Sequence, residues 1–384
     1  MLYLAVPTGA FHGWGVCGRY LVKELSALTE TSLLTDPFDL GAVGDELDYH
    51  LLTAKLLPAE PLQSVPSPVL QAITNAQLLP YRPGLRGSFN LGYTFFEINL
   101  LAARHAGNLR QHFDIVATGS RFCEEVLRSG GLTSVATVLQ GVDPALFNAS
   151  HSEKEYFRDV FVVFSGGKFE LRKGQDLVIR AFKALQDKYR DVLLVNSWFN
   201  CWPSSVNTML VSRHISFRPA STGYLTIINQ ALDDNGIDRK RVITLLPRPN
   251  LMMARIYKNT DVGLFPNRCE GGTNLVLMEY MACGKPAIAS LNSGHKDILT
   301  GENSIPIRAA RPVTIREGET DIALWEEPDL DETIAHLEWA YHHRDQLRPI
   351  GARAGQDMTR YSWKRTAGQF YQMLTAGGAP PDGI

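Results

Sequence analysis

Short apolar runs alternate with segments of helical period along most of this chain. "LYLAVP" predicts a first buried strand, "VCGRYLVKELSAL" a helix and "SLLTD" a short strand. "FNLGYTF", "DIVATGS" and "SVATVLQG" predict further strands. "SRFCEEVLRSGG", with Ser120 as N-cap and a glycine stop, predicts a helix between two of them. The pattern restarts after a join near Val142 to Glu155. "DVFVVFSGG", "VLLVNSW", "RVITLLP", "VGLFP" and "PAIAS" predict strands. "KGQDLVIRAFKALQDKY", "GYLTIINQALDDNG" and "NLMMARIYKNT" predict the helices between them, and "DETIAHLEWAYHHRDQL" and "WKRTAGQFYQML" predict closing helices. The stretch from Cys201 to about Lys240 carries no other clear element, and the tail "TAGGAPPDGI" is expected to fray.

This βα alternation implies parallel sheets covered on both faces. At 384 residues the chain is too long for one ordinary core. The expected fold class is α/β, with two Rossmann-like domains, 1–143 and 144–360, facing across a cleft. In such sheets ligands bind beyond the carboxyl ends of the strands.

Composition narrows the classes without naming one. Apolar residues make up 45% and charged residues 20%, which suits a globular enzyme. The formal net charge of −2 gives no general case for nucleic acid, so no nucleic-acid partner is expected, and peripheral contact with a membrane stays open. The five cysteines are widely spaced and include no C-x-x-C pair, which points to reduced thiols and a cytoplasmic protein. No apolar run reaches the ~18 residues of a spanning helix, and the N-terminus lacks a basic leader.

Candidate chemistry concentrates at two corners. "NRCEGGTNLVLMEYMACGKPAIAS" sets Glu270, Gly271, Gly272 and Thr273 between a strand that ends at about Pro266 and a helix that starts near Asn274, with Leu275 in its first turn. Two glycines let backbone approach a ligand, and the first helical N–H groups form an anion site suited to phosphate. Glu279 would repel phosphate but could accept hydroxyls of an adjacent sugar. Glu270 could do the same for a second sugar. A phosphate flanked by two hydroxyl-rich rings is a nucleotide sugar; the alternative is a capping acid plus an exposed glutamate. The second corner, "FSGGKFELRKGQDLVI", puts Lys168 and Lys173 five apart across a short loop, where they can converge on one anion or simply be solvated. If they converge, they would neutralise charge on a departing phosphate.

On these residues the chain resembles the retaining glycosyltransferases of the GT-B fold, family 4 type (glycosyl transferases group 1). "GGKFELRKGQDLVIRAF" is similar to the family's G-R-x(n)-K-G segment, whose Arg and Lys hold the donor diphosphate. Lys173 matches the Lys. Lys168 stands in the Arg position and keeps the charge without the bidentate fork. "CEGGTNLVLMEYMACGKPAIAS" resembles the E-x7-E segment. Glu279 matches the second acid, which binds the nucleotide ribose. Glu270 lies one residue early for the first acid, which binds hydroxyls of the transferred sugar. "QGVDPALF" resembles the N-G-V-D-x-x-x-F segment entering the second domain. "YSWKRTAGQFYQML" resembles the closing F-S-W helix, so residues 361–384 are expected to return to the first domain. The similarity runs over roughly residues 90 to 375.

The resemblance implies a retaining hexosyltransferase of glycan biosynthesis, with a nucleotide-sugar donor and an unidentified acceptor. The leaving phosphate would take the acceptor's proton. No obligatory cofactor or metal is implied: no His/Cys/Asp cluster has zinc spacing, and "DLD" at 329–331 reads as a helix cap. "GWGVCG" places Gly13 and Gly15 as backbone donors in a glycine-rich loop, with Trp14 available to stack on an acceptor. It also spells G-x-G-x-x-G with Asp36 downstream, but Thr8 to His12 separate Gly13 from the strand, so a nicotinamide dehydrogenase is the distant reading. Glu97 ends "GYTFFE" facing the same cleft, as a sugar-holding acid or a helix cap. His12 sits in the first loop, solvated or facing the cleft. Arg248 in "LPRP" is placed near the nucleotide base, and His295 or Lys296 at the cleft mouth. His342 and His343 read as a solvated helix face. Two further readings use the same fold: a nucleotide-sugar epimerase, and a sugar-nucleotide-binding protein with lost chemistry.

Overall fold

The computed structural model describes residues 1–57, 63–75, 77–218 and 223–377. Strands β1 (Leu2–Ala5), β2 (Thr31–Leu34), β3 (Val69–Ala72), β4 (Asn90–Thr94), β5 (Ile115–Thr118) and β6 (Val135–Thr137) form one sheet in the order β2-β1-β3-β4-β5-β6. Strands β7 (Phe161–Gly166), β8 (Val192–Ser197), β9 (Val242–Thr244), β10 (Val262–Phe265), β11 (Ala287–Ser290) and β12 (Ile305–Ile307) form a second, in the order β12-β11-β10-β7-β8-β9. Every pairing in both sheets is parallel.

The unbroken apolar runs follow from burial on both faces. In β7, Phe161 and Val163 join the core beneath the helix Gln175–Lys188. Val162 and Phe164 point the other way, onto the helix Leu275–Ala282. The period of two thus divides one strand between two cores. Read from its own start, the second sheet has the doubly wound order 3-2-1-4-5-6, so its direction of winding reverses between β7 and β10. Both motif corners lie at the carboxyl ends of these two strands.

The last helix, Trp363–Thr375, does not stay with the second sheet. Trp363, Ala367, Phe370, Met373 and Leu374 are buried in the first domain's core. Trp363 stacks on Tyr20 with ring centroids 5.2 Å apart. The chain crosses at Val142, whose N–H donates to the Tyr361 carbonyl at 3.0 Å. Gly141 is required there, because a Cβ would lie 2.1 Å from the Trp363 nitrogen.

Several elements differ from the sequence expectation. The helix Glu46–Lys55 and strand β3 were not anticipated. The expected helix through "AYHHRDQL" is two, Leu330–His342 and Arg344–Met358, broken where His343 leaves helical geometry. A long antiparallel hairpin, β13 (Ala310–Glu317) and β14 (Thr320–Pro328), extends from the second domain. It reaches the first: Leu100 N–H donates to the Ile322 carbonyl at 3.1 Å, and Asn99 exchanges side-chain bonds of 2.8 and 2.7 Å with the Leu324 backbone.

Candidate active site

A cleft of about 800 Å³ runs between the two sheets' carboxyl edges. On the second-domain side β7 ends at Gly166, and Gly167 adopts a φ of 109°. A single 3-10 turn, Leu171–Lys173, leads to Gly174. Here only glycine fits: φ is 72°, and a Cβ would lie 2.0 Å from the Pro266 carbonyl oxygen at the end of β10. That close contact turns Arg172 and Lys173 toward the facing corner.

There they meet Glu270. Lys173 Nζ lies 2.5 Å from Glu270 Oε1, and Arg172 Nη1 3.0 Å from Oε2. Asn267 also donates to Oε1. Arg172 further pairs with Glu170 at 2.7 Å and, across the cleft, with Glu97 of the first domain at 3.3 Å. Burial would raise the Glu270 pKa, but Lys173 and Arg172 outweigh it and hold the carboxyl down to about 2. Burial would lower the Arg172 pKa, yet Glu97, Glu270 and Glu170 keep it well above the usual range. Lys168 stands outside this knot, 3.4 Å from Glu170 Oε2 and 4.7 Å from the ring centroid of Trp202.

The other corner opens the helix Leu275–Ala282. Its N-cap, Asn274, has a φ of 63° and provides no side-chain cap. Instead Asn274 Nδ2 lies 3.2 Å from Nε2 of His295, whose Nδ1 is 2.9 Å from the Ser290 carbonyl. Burial pushes the His295 pKa down to about 4, so the ring is neutral and structural, set behind the corner. The uncapped first turn faces the cleft through Leu275 and Val276. One turn on, Glu279 is buried and accepts from Asn250 Nδ2 at 2.9 Å. Burial raises its carboxyl to about 8.

The first domain supplies the facing wall: Gly13, Trp14, Phe95, Glu97 and Gln140, with Asp36 and Tyr81 near the rim. Trp14 packs on Phe95 with centroids 4.5 Å apart. Burial, then the Lys168 charge, lowers the His12 pKa. His12 caps the first helix by accepting from Gly15 N–H at 3.0 Å, and its ring meets Trp202 edge-on.

Of the residues singled out from the sequence, Gly13, Glu97, Lys168, Lys173, Arg248, Glu270, Gly272, Asn274, Leu275 and Glu279 line one cleft. Three do not. Gly15 cannot serve as a free backbone donor, because its N–H is taken by His12 and its Cα packs on Gly9. Gly271 is glycine for the first domain's sake: a Cβ would lie 2.4 Å from the Phe96 carbonyl oxygen. Its own carbonyl accepts from Ser120 Oγ at 2.6 Å. Thr273 is fully buried, with Oγ1 directed at the Met278 sulfur. Lys296 is not among the lining residues, Asp329 caps its helix, and His343 stacks on Trp339. Sequence reading missed Arg172 and Asn250. The first was signalled by the Arg-Lys doublet before Gly174; the second carried no signal in one sequence.

Among the described residues no group of three His, Cys, Asp or Glu side chains is arranged to hold a metal ion. No helix among them is long and apolar enough to cross a membrane.

Residues 216–318 match the family model described as glycosyl transferases group 1. No curated protein matches the chain at the sequence level. Among solved structures, sucrose-phosphate synthase from Thermosynechococcus elongatus superposes with a TM-score of 0.64 at 15% identity, covering 98% of this chain and 99% of that one. Anabaena HepE in complex with UDP-glucose gives 0.65 at 13% identity, covering 98% and 100%. A glycosyltransferase from Rickettsia africae gives 0.64 at 10%, covering 98% and 97%. The fold they share with this chain is GT-B.

Proposed function

We propose that this chain, which has the GT-B fold and matches the group 1 glycosyltransferase model over residues 216–318, moves a hexose from a nucleotide-diphosphate sugar to a hydroxyl acceptor with retention of configuration. The observation that carries this reading is the meeting, at the winding reversal of the second sheet, of Lys168, Lys173 and an uncapped helix N-terminus. Such a constellation favours a diphosphate, and most of all the charge that develops as it leaves. Glu279, one helical turn away, suits the ribose hydroxyls, and Arg248 and Pro247 border the space for the base.

In this reading the ligand-free cluster is charge-balanced. Lys168, Arg172 and Lys173 face Glu97, Glu170 and Glu270. Glu270 already accepts from three donors and has little capacity left. Its role is therefore twofold: it holds Lys173 in place, and its remaining lone pair accepts a hydroxyl of the transferred sugar. Because both nearby acids, Glu97 and Glu270, are tied into ion pairs, neither is free to act as nucleophile or strong base. The departing phosphate, on the same face as the incoming hydroxyl, takes the proton, which gives retention. The lysines and the helix end stabilise the leaving group without a metal. Closure of the cleft aligns the two substrates and keeps water out.

HepE, crystallised with UDP and with UDP-glucose, makes UDP-sugars the first donors to try. The test is transfer or donor hydrolysis across a panel of UDP-, GDP-, ADP- and TDP-sugars in chelator. Lys173→Ala should lower kcat/KM by about 100-fold or more, the size seen when one transition-state charge contact is removed. Wild-type protein that binds no sugar nucleotide would refute the proposal. Conversion of the donor sugar without transfer would identify an epimerase instead.

A further inference from the structure

Arg19 lies in the first-domain helix Gly13–Ser26, only 1% exposed. Its Nη2 crosses the cleft and donates to Asn250 Oδ1 of the second domain at 2.9 Å. Its Nη1 is 3.3 Å from Asp48, its guanidinium lies over the Tyr20 ring, and its Nε has no hydrogen-bond partner among the described residues. Asn250 in turn donates from Nδ2 to Glu279 Oε1 at 2.9 Å. The Asn250 segment is held from the first domain twice more. Its N–H donates to the Ala10 carbonyl at 3.0 Å, and a Cβ on Gly44 would lie 2.6 Å from Pro249.

The chemistry of this chain has a direction. A guanidinium only donates, so the amide must turn its oxygen to Arg19 and therefore its NH₂ to Glu279. Without Arg19 the amide is free to flip and set oxygen against carboxylate. We propose that Arg19 is a positioning residue: by fixing the Asn250 amide when the two domains are together, it readies Glu279 to accept hydroxyls of the donor nucleotide. This rests on the assignment of Glu279 to the donor site. It makes donor binding and domain closure mutually favourable, since a contact present only in the closed arrangement improves the binding group.

Glu279 is faced by Arg19 and Tyr20 from the first-domain helix, by Asp143 from the interdomain segment, and by Tyr257 and Cys283 from its own domain. Arg19 is the one cation in this set, so its charge offsets part of the burial that raises the carboxyl to about 8.

The experiment begins by titrating wild type with UDP, GDP, ADP and TDP by calorimetry and keeping the tightest binder as probe. Arg19→Met, which removes both the charge and the donors, should weaken that nucleotide about 10-fold and move the pH at which binding sets in upward. Arg19→Lys, which still donates to Asn250, should recover most of the loss. In a Glu279→Gln background Arg19→Met should cost nothing further, because the acid it acts through is gone. A merely structural arginine would lower the melting temperature and leave the affinity of folded protein and its pH midpoint unmoved; that result overturns the proposal, as does an equal loss in both backgrounds. If wild type binds none of the four nucleotides, the donor-site reading itself falls and takes this inference with it.

Discussion

Glu270 and Glu279 sit nine residues apart at one cleft and are driven in opposite directions. The ion pairs to Lys173 and Arg172 hold Glu270 at about 2, below its ordinary 4.5. Its stabilising contribution is therefore complete above about pH 4.5 and lost as pH falls toward 2. Among the described residues Glu279 makes no ion pair of that kind, and burial lifts it to about 8. An acid with a raised folded pKa contributes stability that is complete below its ordinary 4.5 and lost as pH rises through the folded value. The free protein should thus grow less stable between about pH 4.5 and 8 on account of this one side chain. Glu279→Gln should flatten that slope and stabilise the protein at pH 8 by up to a few kcal/mol, since each tenfold change in proton affinity between the folded and unfolded chain is worth about 1.4 kcal/mol. Denaturant melts of both proteins across this range measure it, and an unchanged slope would show that Glu279 is not the titrating group. The same substitution should weaken nucleotide binding, so stability and function trade off at a single carboxylate.

The hairpin β13–β14 plays a comparable part among the elements. It belongs to the second domain through Glu327, whose carboxylate pairs with buried Arg268, yet it grips the first domain's loop after Glu97. Trp325 Nε1 donates to the Glu97 carbonyl at 2.8 Å, which steadies the residue whose side chain meets Arg172. Asn99→Ala with Trp325→Phe removes three of these bonds at partly exposed positions. The expected result is a larger radius of gyration by X-ray scattering and a donor KM raised several-fold, with the melting temperature nearly unchanged; an unchanged KM would reduce the hairpin to decoration. The hairpin was not read from the sequence although part of its signal is present: Val313 and Ile315 alternate with polar residues on one side of Gly318, while the other arm carries the unbroken apolar run "IALW". Dense charge on the exposed face masked that alternation. The helix Arg344–Met358 was hidden in a similar way by Pro349, Gly351 and Gly355, poor helix formers that tertiary packing overrides. Apart from β3 and β12, the buried parallel strands were legible, as were the two glycine corners, because burial on both faces and tight turns each demand particular residue types. Arg172, Asn250 and Arg19 were not, because their roles come from contacts that span long stretches of chain.

At the scale of the whole molecule the two sides of the interface are built differently. Near the cleft the domains touch through single polar contacts, such as Ser120 to the Gly271 carbonyl and Asn250 to Ala10. At the crossing they share an apolar core, since the helix Trp363–Thr375 leaves the second domain to complete the first. Polar contacts can break and re-form as a cleft opens; a shared core cannot, so opening should pivot about the crossing at Gly141, Val142 and Ser362. The arrangement also makes the first domain depend on the end of the chain. Trp363 is buried and stacked on Tyr20 within the first domain's core. Trp363→Ala should cost about 3–5 kcal/mol, as loss of a buried large aromatic does. The cost should fall unevenly. Amide exchange should quicken across β1 and β3 to β5, while β7, β10 and β11, whose core contains none of this helix, keep their protection. Uniform loss across both sheets would instead show that the two domains unfold as one unit, with the crossing helix as the rivet between them rather than a part of the first.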